Sequence, residues 1–348
     1  MPVRLGIIGY GGMAGWHHKN CVRVDGVSVL AAYDIDPERV LAARENGLRG
    51  YDTLAAFLAD DEVNTVLVAT PNDCHEELVI AALNAGKHVL CEKPVTLSLA
   101  AFDRMADAAK KNGKLFTAHQ NRRWDKDYLI ARKLYQSGEL GKVYSIQSRL
   151  HGAGGAMHGW RGEKKHGGGM LLDWGVHFID QAYNMLGWGA FLSVNCFASN
   201  VKTSEVEDYF SLTLEAAGGL QYIIEIGTFV LKELPRWMLL GDEKTAYIND
   251  FSRSGGVISL NSIIEQEEVI LQTEAGPTRT FAPRPKEVKN ETDLPDAEGQ
   301  WTDFYANLRD AVEGKAELIV QPWQIRRVLA AMMAGFESIE TRKRVSLI

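Results

Sequence analysis

Gly9-Tyr10-Gly11-Gly12-Met13-Ala14 places small residues at the spacing of a phosphate-binding turn, directly after an apolar run and before a helical pattern. Gly9 permits the tight turn, Gly11 lets backbone approach a pyrophosphate, and Ala14 allows close helix packing while the helix N-terminus faces the anion. Asp34 ends the second apolar run, where a carboxylate can accept hydrogen bonds from adenosine ribose hydroxyls. The pattern predicts a dinucleotide cofactor, NAD ahead of NADP, because Asp34 repels a 2′-phosphate and Ile35, not an arginine, follows it. Arg39 leaves room for NADP. Asp34 also has an ordinary reading as a turn carboxylate beside Asp36-Pro37.

A second set of chemistry-bearing residues is Asp173 and His177, spaced to share one face of a helix. An imidazole there can take a proton, and the carboxylate can orient it or a substrate hydroxyl. With His151, His158 and His166 nearby the pair also has metal-ligand types. No thiolate or second fixed carboxylate completes a set, so no metal is expected. Singly, Asp173 also reads as a helix cap and His177 as a core histidine.

The elements that must position these residues fall into two patterns. Up to about Thr117, apolar runs at Arg4–Ile8, Val27–Tyr33, Thr65–Ala69, His88–Cys91 and Lys114–Thr117 alternate with helical stretches, the rhythm of a doubly wound parallel sheet. After a helix ending at Ser137, alternation at Val143–Leu150, Ser193–Ala198, Tyr209–Leu214 and Leu220–Thr228 predicts a mostly antiparallel open sheet with one long helix, Met170–Leu186. The expected architecture is α/β, with a Rossmann domain over 1–123 and an α+β substrate-binding and oligomerisation domain over 124–348. The stretch Pro277–Gly299 reads as a linker or surface loop, and the placement of the final helices, within 301–341, stays open between the two domains. The glycine-rich segment 151–169 reads as a substrate cover, with Trp160 as an apolar wall.

Length and composition agree. A chain of 348 residues exceeds what one core usually organises, and 46% hydrophobic with 24% charged residues describes a globular protein. A net charge of −7 gives no reason to expect a nucleic-acid partner. Four scattered cysteines form no disulfide framework or Cys-x-x-Cys pair, and no apolar run is long enough for a membrane span, so a cytoplasmic protein is expected. The open sheet predicts a homodimer or homotetramer, since its second face needs cover.

Further motifs are more specific. Val68-Ala69-Thr70-Pro71-Asn72 with His75, Glu92-Lys93-Pro94, Gln120-Asn121-Arg122-Arg123 and the Gly167–His177 segment follow the glycine turn in order. Together they resemble the glucose–fructose oxidoreductase/inositol dehydrogenase (Gfo/Idh/MocA) family over nearly the whole chain. The resemblance implies an NAD(P)-dependent oxidoreductase acting on a secondary hydroxyl or ketone of a small polyhydroxylated substrate: a sugar, glycoside or cyclitol. It places Lys93, Asp173 and His177 at the reacting carbon, and Thr70, Pro71, Asn72, His75, Glu92, Lys93 and Gln120 along the cofactor. Trp160-Arg161 would reach the nicotinamide end. Arg122, Arg123 and Trp160 join the three reacting residues as substrate contacts, and the Lys93–Pro94 bond can be cis. The chemistry suits such a site, which needs a base, an oxygen-stabilising donor and an aligned nicotinamide. His177 supplies the base and Lys93 the donor. Two other readings stay open: a glycoside-cleaving relative using bound NAD transiently, and a non-catalytic dinucleotide-binding regulator.

Overall fold

In a computed structural model, which describes residues 2–261, 270–279 and 289–347, six strands make one parallel sheet. Along the chain they are β1 (Val3–Ile8), α1 (Gly12–Cys21), β2 (Val27–Tyr33), α2 (Pro37–Glu45), β3 (Arg49–Tyr51), α3 (Leu54–Leu58), β4 (Thr65–Val68), α4 (His75–Asn84), β5 (His88–Cys91), α5 (Leu99–Asn112) and β6 (Phe116–Ala118). The spatial order is β3-β2-β1-β4-β5-β6. Every residue of β4 is buried, because helices cover both faces and alternation is lost. Short polar side chains start the helices: Asp36 accepts from the Glu38 N–H at 3.0 Å and Ser98 from the Ala101 N–H at 3.1 Å. The strand order reverses between β1 and β4, which opens a crevice at their carboxyl ends beside the glycine turn.

The second half begins with α6 (Lys126–Ser137) and β7 (Val143–His151), then a π turn over Leu171–Gly175 that runs into α7 (Val176–Leu186). It continues with β8 (Phe191–Ser199), β9 (Tyr209–Ala216), β10 (Gln221–Gly227), β11 (Trp237–Gly241), β12 (Thr245–Ile248), β13 (Gly255–Leu260), β14 (Ile270–Thr273), β15 (Gly276–Arg279) and β16 (Lys289–Asp293). Helices α8 (Thr302–Val312) and α9 (Pro322–Thr341) and a last strand β17 (Val345–Ser346) complete it. Nine strands form one sheet, β16-β13-β12-β11-β7-β10-β9-β8-β17, antiparallel except where β10 runs parallel to β7. β14 and β15 pair separately. One face of the large sheet carries the buried Ile146, Tyr222, Ile224, Trp237 and Leu239, with Tyr128 of α6 against Trp237 at 6.2 Å between ring centroids.

Several expectations need correction. Strands β3, β11, β12, β13, β14 and β17 have no counterpart among the apolar runs read from the sequence. The expected linker over 277–299 contributes β15 and β16, while 280–288 lie outside the described residues. β16 reads Lys-Asn-Glu-Thr-Asp and is exposed throughout; an edge strand held by backbone pairing to β13 needs no apolar alternation. The single helix expected over Met170–Leu186 starts instead as a π turn. The last two helices divide: α8 packs on α1, β1 and β2, while α9 lies between α5 and β6 on one side and α7 and β8 on the other.

Candidate active site

The glycine turn sits at the end of β1. Gly9 has φ of +89°, and a Cβ there would meet the Ala69 carbonyl oxygen at 2.7 Å, so only glycine fits. At Gly11 the nearest neighbour to such a Cβ is Arg39 Nη1 at 3.6 Å, and at Gly12 there is none, which leaves space before the N-terminus of α1. Tyr10 donates its N–H to Asp34 Oδ2 at 2.7 Å and Asp36 donates to Oδ1 at 2.9 Å. Asp34 thus acts as a turn carboxylate and is held beside the glycine turn as well. Arg39 Nη1 stands 3.5 Å from Asp34 Oδ2 on an exposed side chain, so a cation lies beside the carboxylate. Further along the crevice the Thr70 hydroxyl oxygen is buried with no hydrogen-bond partner among the described residues. A glycine cradle, a helix N-terminus, a fixed carboxylate and an orphaned hydroxyl fit a dinucleotide.

Lys93 and α7 form the other end of the site. Lys93 Nζ donates to Asp173 Oδ1 at 2.9 Å and to the Asp173 carbonyl oxygen at 2.7 Å. Arg161 Nε lies 3.4 Å from Asp173 Oδ2. Burial raises the Asp173 carboxyl, but the Lys93 ammonium and Arg161 guanidinium outweigh it and hold the group below its usual range. His177 is buried, with Nδ1 3.1 Å from Gln120 Oε1. With that oxygen as acceptor, Nδ1 carries the proton and Nε2 is the basic nitrogen. Burial, then the charges of Lys93 and Arg122, hold the His177 imidazolium well below the ordinary histidine range. The π turn sets this arrangement, and Gly175 lets it pack: a Cβ there would come 2.8 Å from Leu171 Cδ1 and 3.1 Å from Phe210 Cζ.

Other expected site residues divide between the opening and the framework. Asn72 donates to the Gly167 carbonyl at 2.9 Å and His166 Nδ1 lies 3.0 Å from Asp73 Oδ2, so the glycine-rich segment is fastened to the end of β4. Trp160 stacks under Arg161, whose guanidinium carbon is 4.5 Å from the ring centroid. His75 is fully buried, with its ring nitrogens on the backbone carbonyls of Thr70, Pro94 and Val95. Pro71 leads from β4 into the turn that carries Asn72, and the Lys93–Pro94 bond is cis. Arg122 faces Trp174, 4.1 Å from its ring centroid. Arg123 points elsewhere: it makes two 2.7 Å bonds to Asp180 and reaches the Ile319 carbonyl at 2.9 Å, which braces α7 against the segment before α9.

Glu92 shows what local sequence reading misses. Its Oε1 lies 2.6 Å from His17 Nε2 and 2.9 Å from His119 Nδ1, while Oε2 accepts the Lys93 N–H at 3.1 Å. The Tyr305 hydroxyl lies 2.9 Å from His17 Nδ1 and 3.4 Å from His119 Nε2, which closes a buried ring of four side chains. Burial would raise the Glu92 carboxyl, but the two imidazole partners hold it well below its usual range; burial pushes His119 down to about 4. The carboxylate therefore ties α1, β5, β6 and α8 together behind the cofactor crevice. Nothing in the spacing of residues 17, 92, 119 and 305 announces it.

Comparison with known proteins agrees with this geometry. Residues 3–120 match the model of an oxidoreductase family with an NAD-binding Rossmann fold, and residues 128–247 match the GFO/IDH/MocA C-terminal domain. A solved NAD-binding protein from Listeria innocua superposes with a TM-score of 0.88 at 38% identity, covering 99% of this chain and 97% of that one. The scyllo-inositol 2-dehydrogenase (NADP(+)) IolW of Bacillus subtilis is 26% identical over 353 residues, 99% of this chain and 96% of that protein. The D-glucoside 3-dehydrogenase of Escherichia coli is 33% identical over 201 residues, 56% of this chain and 57% of that protein. With both halves matched in order along one chain, the protein belongs to the Gfo/Idh/MocA family of oxidoreductases, and its first half is an NAD-binding Rossmann unit.

Proposed function

We propose that the protein is an NAD(P)-dependent dehydrogenase that interconverts a secondary hydroxyl and a ketone on a sugar, glycoside or cyclitol. The observation that carries this reading is the convergence of Lys93, Asp173 and His177: an ammonium fixed by a carboxylate next to a neutral imidazole. Bound in the crevice, the nicotinamide supplies the hydride acceptor or donor. In the oxidative direction His177 Nε2 takes the hydroxyl proton. Lys93 donates a hydrogen bond to the oxygen as negative charge builds there, and Asp173 fixes the ammonium in place. Gln120 keeps the imidazole in the tautomer that can accept. Arg122, Trp160 and Arg161 border the opening as substrate contacts.

The inositol and glucoside dehydrogenases among its relatives support a polyol substrate. NAD is the primary cofactor in this reading, with NADP accepted through Arg39. The chain assembles as a homodimer or homotetramer through the outer face of the nine-stranded sheet, which light scattering would test. The function is tested by monitoring reduced nicotinamide with NAD, NADP and a panel of pyranoses, glycosides and inositols. Turnover of at least one polyol supports it, and no turnover across the panel overturns it.

A further inference from the structure

Trp174 touches both the candidate active site and a neighbouring pocket. On one side its ring meets His177 edge-on, with centroids 6.2 Å apart. On the other it lines an open pocket of about 450 Å³, together with Arg122, Trp124, Asp125, Phe251 and Trp301. That volume lies within the range of roughly 300–1,000 Å³ found for small-molecule sites.

The lining has a definite chemistry. Arg122 lies over Trp174 at 4.1 Å and 5.7 Å from the Phe251 ring centroid. Asp125 uses both oxygens to orient its neighbours: Arg122 Nη1 donates to Oδ2 at 2.9 Å and Trp301 Nε1 donates to Oδ1 at 2.8 Å. Phe251 and Trp301 are 41% and 40% exposed, so aromatic surface stays open to the pocket. Asp127 also lines it, and its Oδ1 is buried with no hydrogen-bond partner among the described residues. Its Oδ2 stands 3.3 Å from Nε of the buried Arg236, an ion pair that lies under the Phe251 ring, 5.1 Å from the Arg236 guanidinium carbon. Open aromatic faces flanked by an arginine and a carboxylate suit a ligand that is apolar on its faces and hydroxylated at its rim.

A sugar ring has that shape. Because Trp174 belongs to the pocket and also touches His177, a second ring attached to one held at Lys93 and His177 reaches the pocket. We propose that this pocket is a subsite for the second ring of a glycoside: the oxidised ring lies at Lys93 and His177, and the ring-shaped aglycone passes Trp174 to rest on Phe251 and Trp301. The assignment rests on the dehydrogenase reading for its catalytic side, and it narrows the substrate class from polyols in general to ring-bearing glycosides.

The test compares kcat/KM for methyl glucosides with that for cellobiose, maltose and 4-nitrophenyl glucosides, in the unmodified protein, Phe251→Ala and Trp301→Leu. A parallel titration follows tryptophan fluorescence with cellobiose and maltose in the absence of cofactor, with melting temperatures as a check on folding. The expected result is a preference for ring-bearing glycosides of about tenfold or more, lost in Phe251→Ala. Saturable quenching by a disaccharide, weakened in the same variant, supports the subsite even if no sugar is oxidised, and in that case only the dehydrogenase reading falls. Equal kcat/KM across the series, a preference untouched by both substitutions, or no saturable quenching together with no turnover overturns the subsite.

Discussion

Lys93 Nζ lies 2.9 Å from Asp173 Oδ1 and 2.7 Å from the carbonyl oxygen of the same residue. Two acceptors from one residue fix an otherwise mobile ammonium at the π turn, so Asp173 acts as the positioning partner of Lys93. Asp173→Asn keeps an acceptor but removes the charge that holds Lys93. We expect kcat to fall by roughly 10–100-fold with thermal stability little changed, a loss smaller than that of removing the proton-transfer group itself. Steady-state kinetics and thermal melting check this.

The pH dependence follows from His177. Its folded-state value lies well below 6.5 because burial and the Lys93 and Arg122 charges disfavour the imidazolium. As base it must be neutral, so oxidation at pH 7 finds it ready, and the acid limb of kcat/KM falls below the ordinary histidine range. A limb at or above pH 6.5 would contradict that environment.

Cofactor choice turns on Asp34 and Arg39. The carboxylate faces the glycine turn through Tyr10, and the arginine lies 3.5 Å away. Asp34→Ala with Ile35→Arg should reverse the preference from NAD to NADP, read as the ratio of the two dissociation constants. Tighter binding of NADP than NAD by the unmodified protein would defeat the assignment.

Glu92 should govern stability. Glu92→Gln weakens two imidazole contacts on one buried oxygen, and a hydrogen bond to a charged group is worth about 1.5–3 kcal/mol. The sign with pH is fixed by its lowered folded value: the Glu92 contribution is full above the unfolded carboxyl range near 4.5 and is lost as pH falls through the folded value. Denaturant titrations from pH 7 downward should show the unmodified protein losing its advantage over Glu92→Gln in acid. A constant difference would contradict this.

Much of the fold was legible in the sequence because its signals are local. The buried runs of β1 and β4, the Asp36 and Ser98 caps and the glycine turn each depend on neighbours within a few residues. β16 was illegible because an exposed edge strand carries no hydrophobic period, and the π turn because helical spacing does not reveal where one extra residue enters a turn. At the site, spacing set Asp173 and His177 close together, but their partners lie far off in sequence: Lys93 and Arg161 for the carboxylate, Gln120 for the imidazole. The role of Glu92 could not be read either, since its partners come from α1, the end of β6 and α8. The partner of Arg123 was hidden for the same reason: Asp180 lies 57 residues away in sequence.

The central claim is that His177 and Lys93 serve chemistry more than folding. The most direct measurement is kcat at saturating NAD for His177→Asn and Lys93→Met, alongside the NAD dissociation constant and the melting temperature. Loss of a positioned proton-transfer group predicts a fall of roughly 10²–10⁴-fold in kcat with NAD binding and melting nearly intact. Near-normal kcat in the His177 variant, or activity that merely follows a lost folded fraction, would contradict the account.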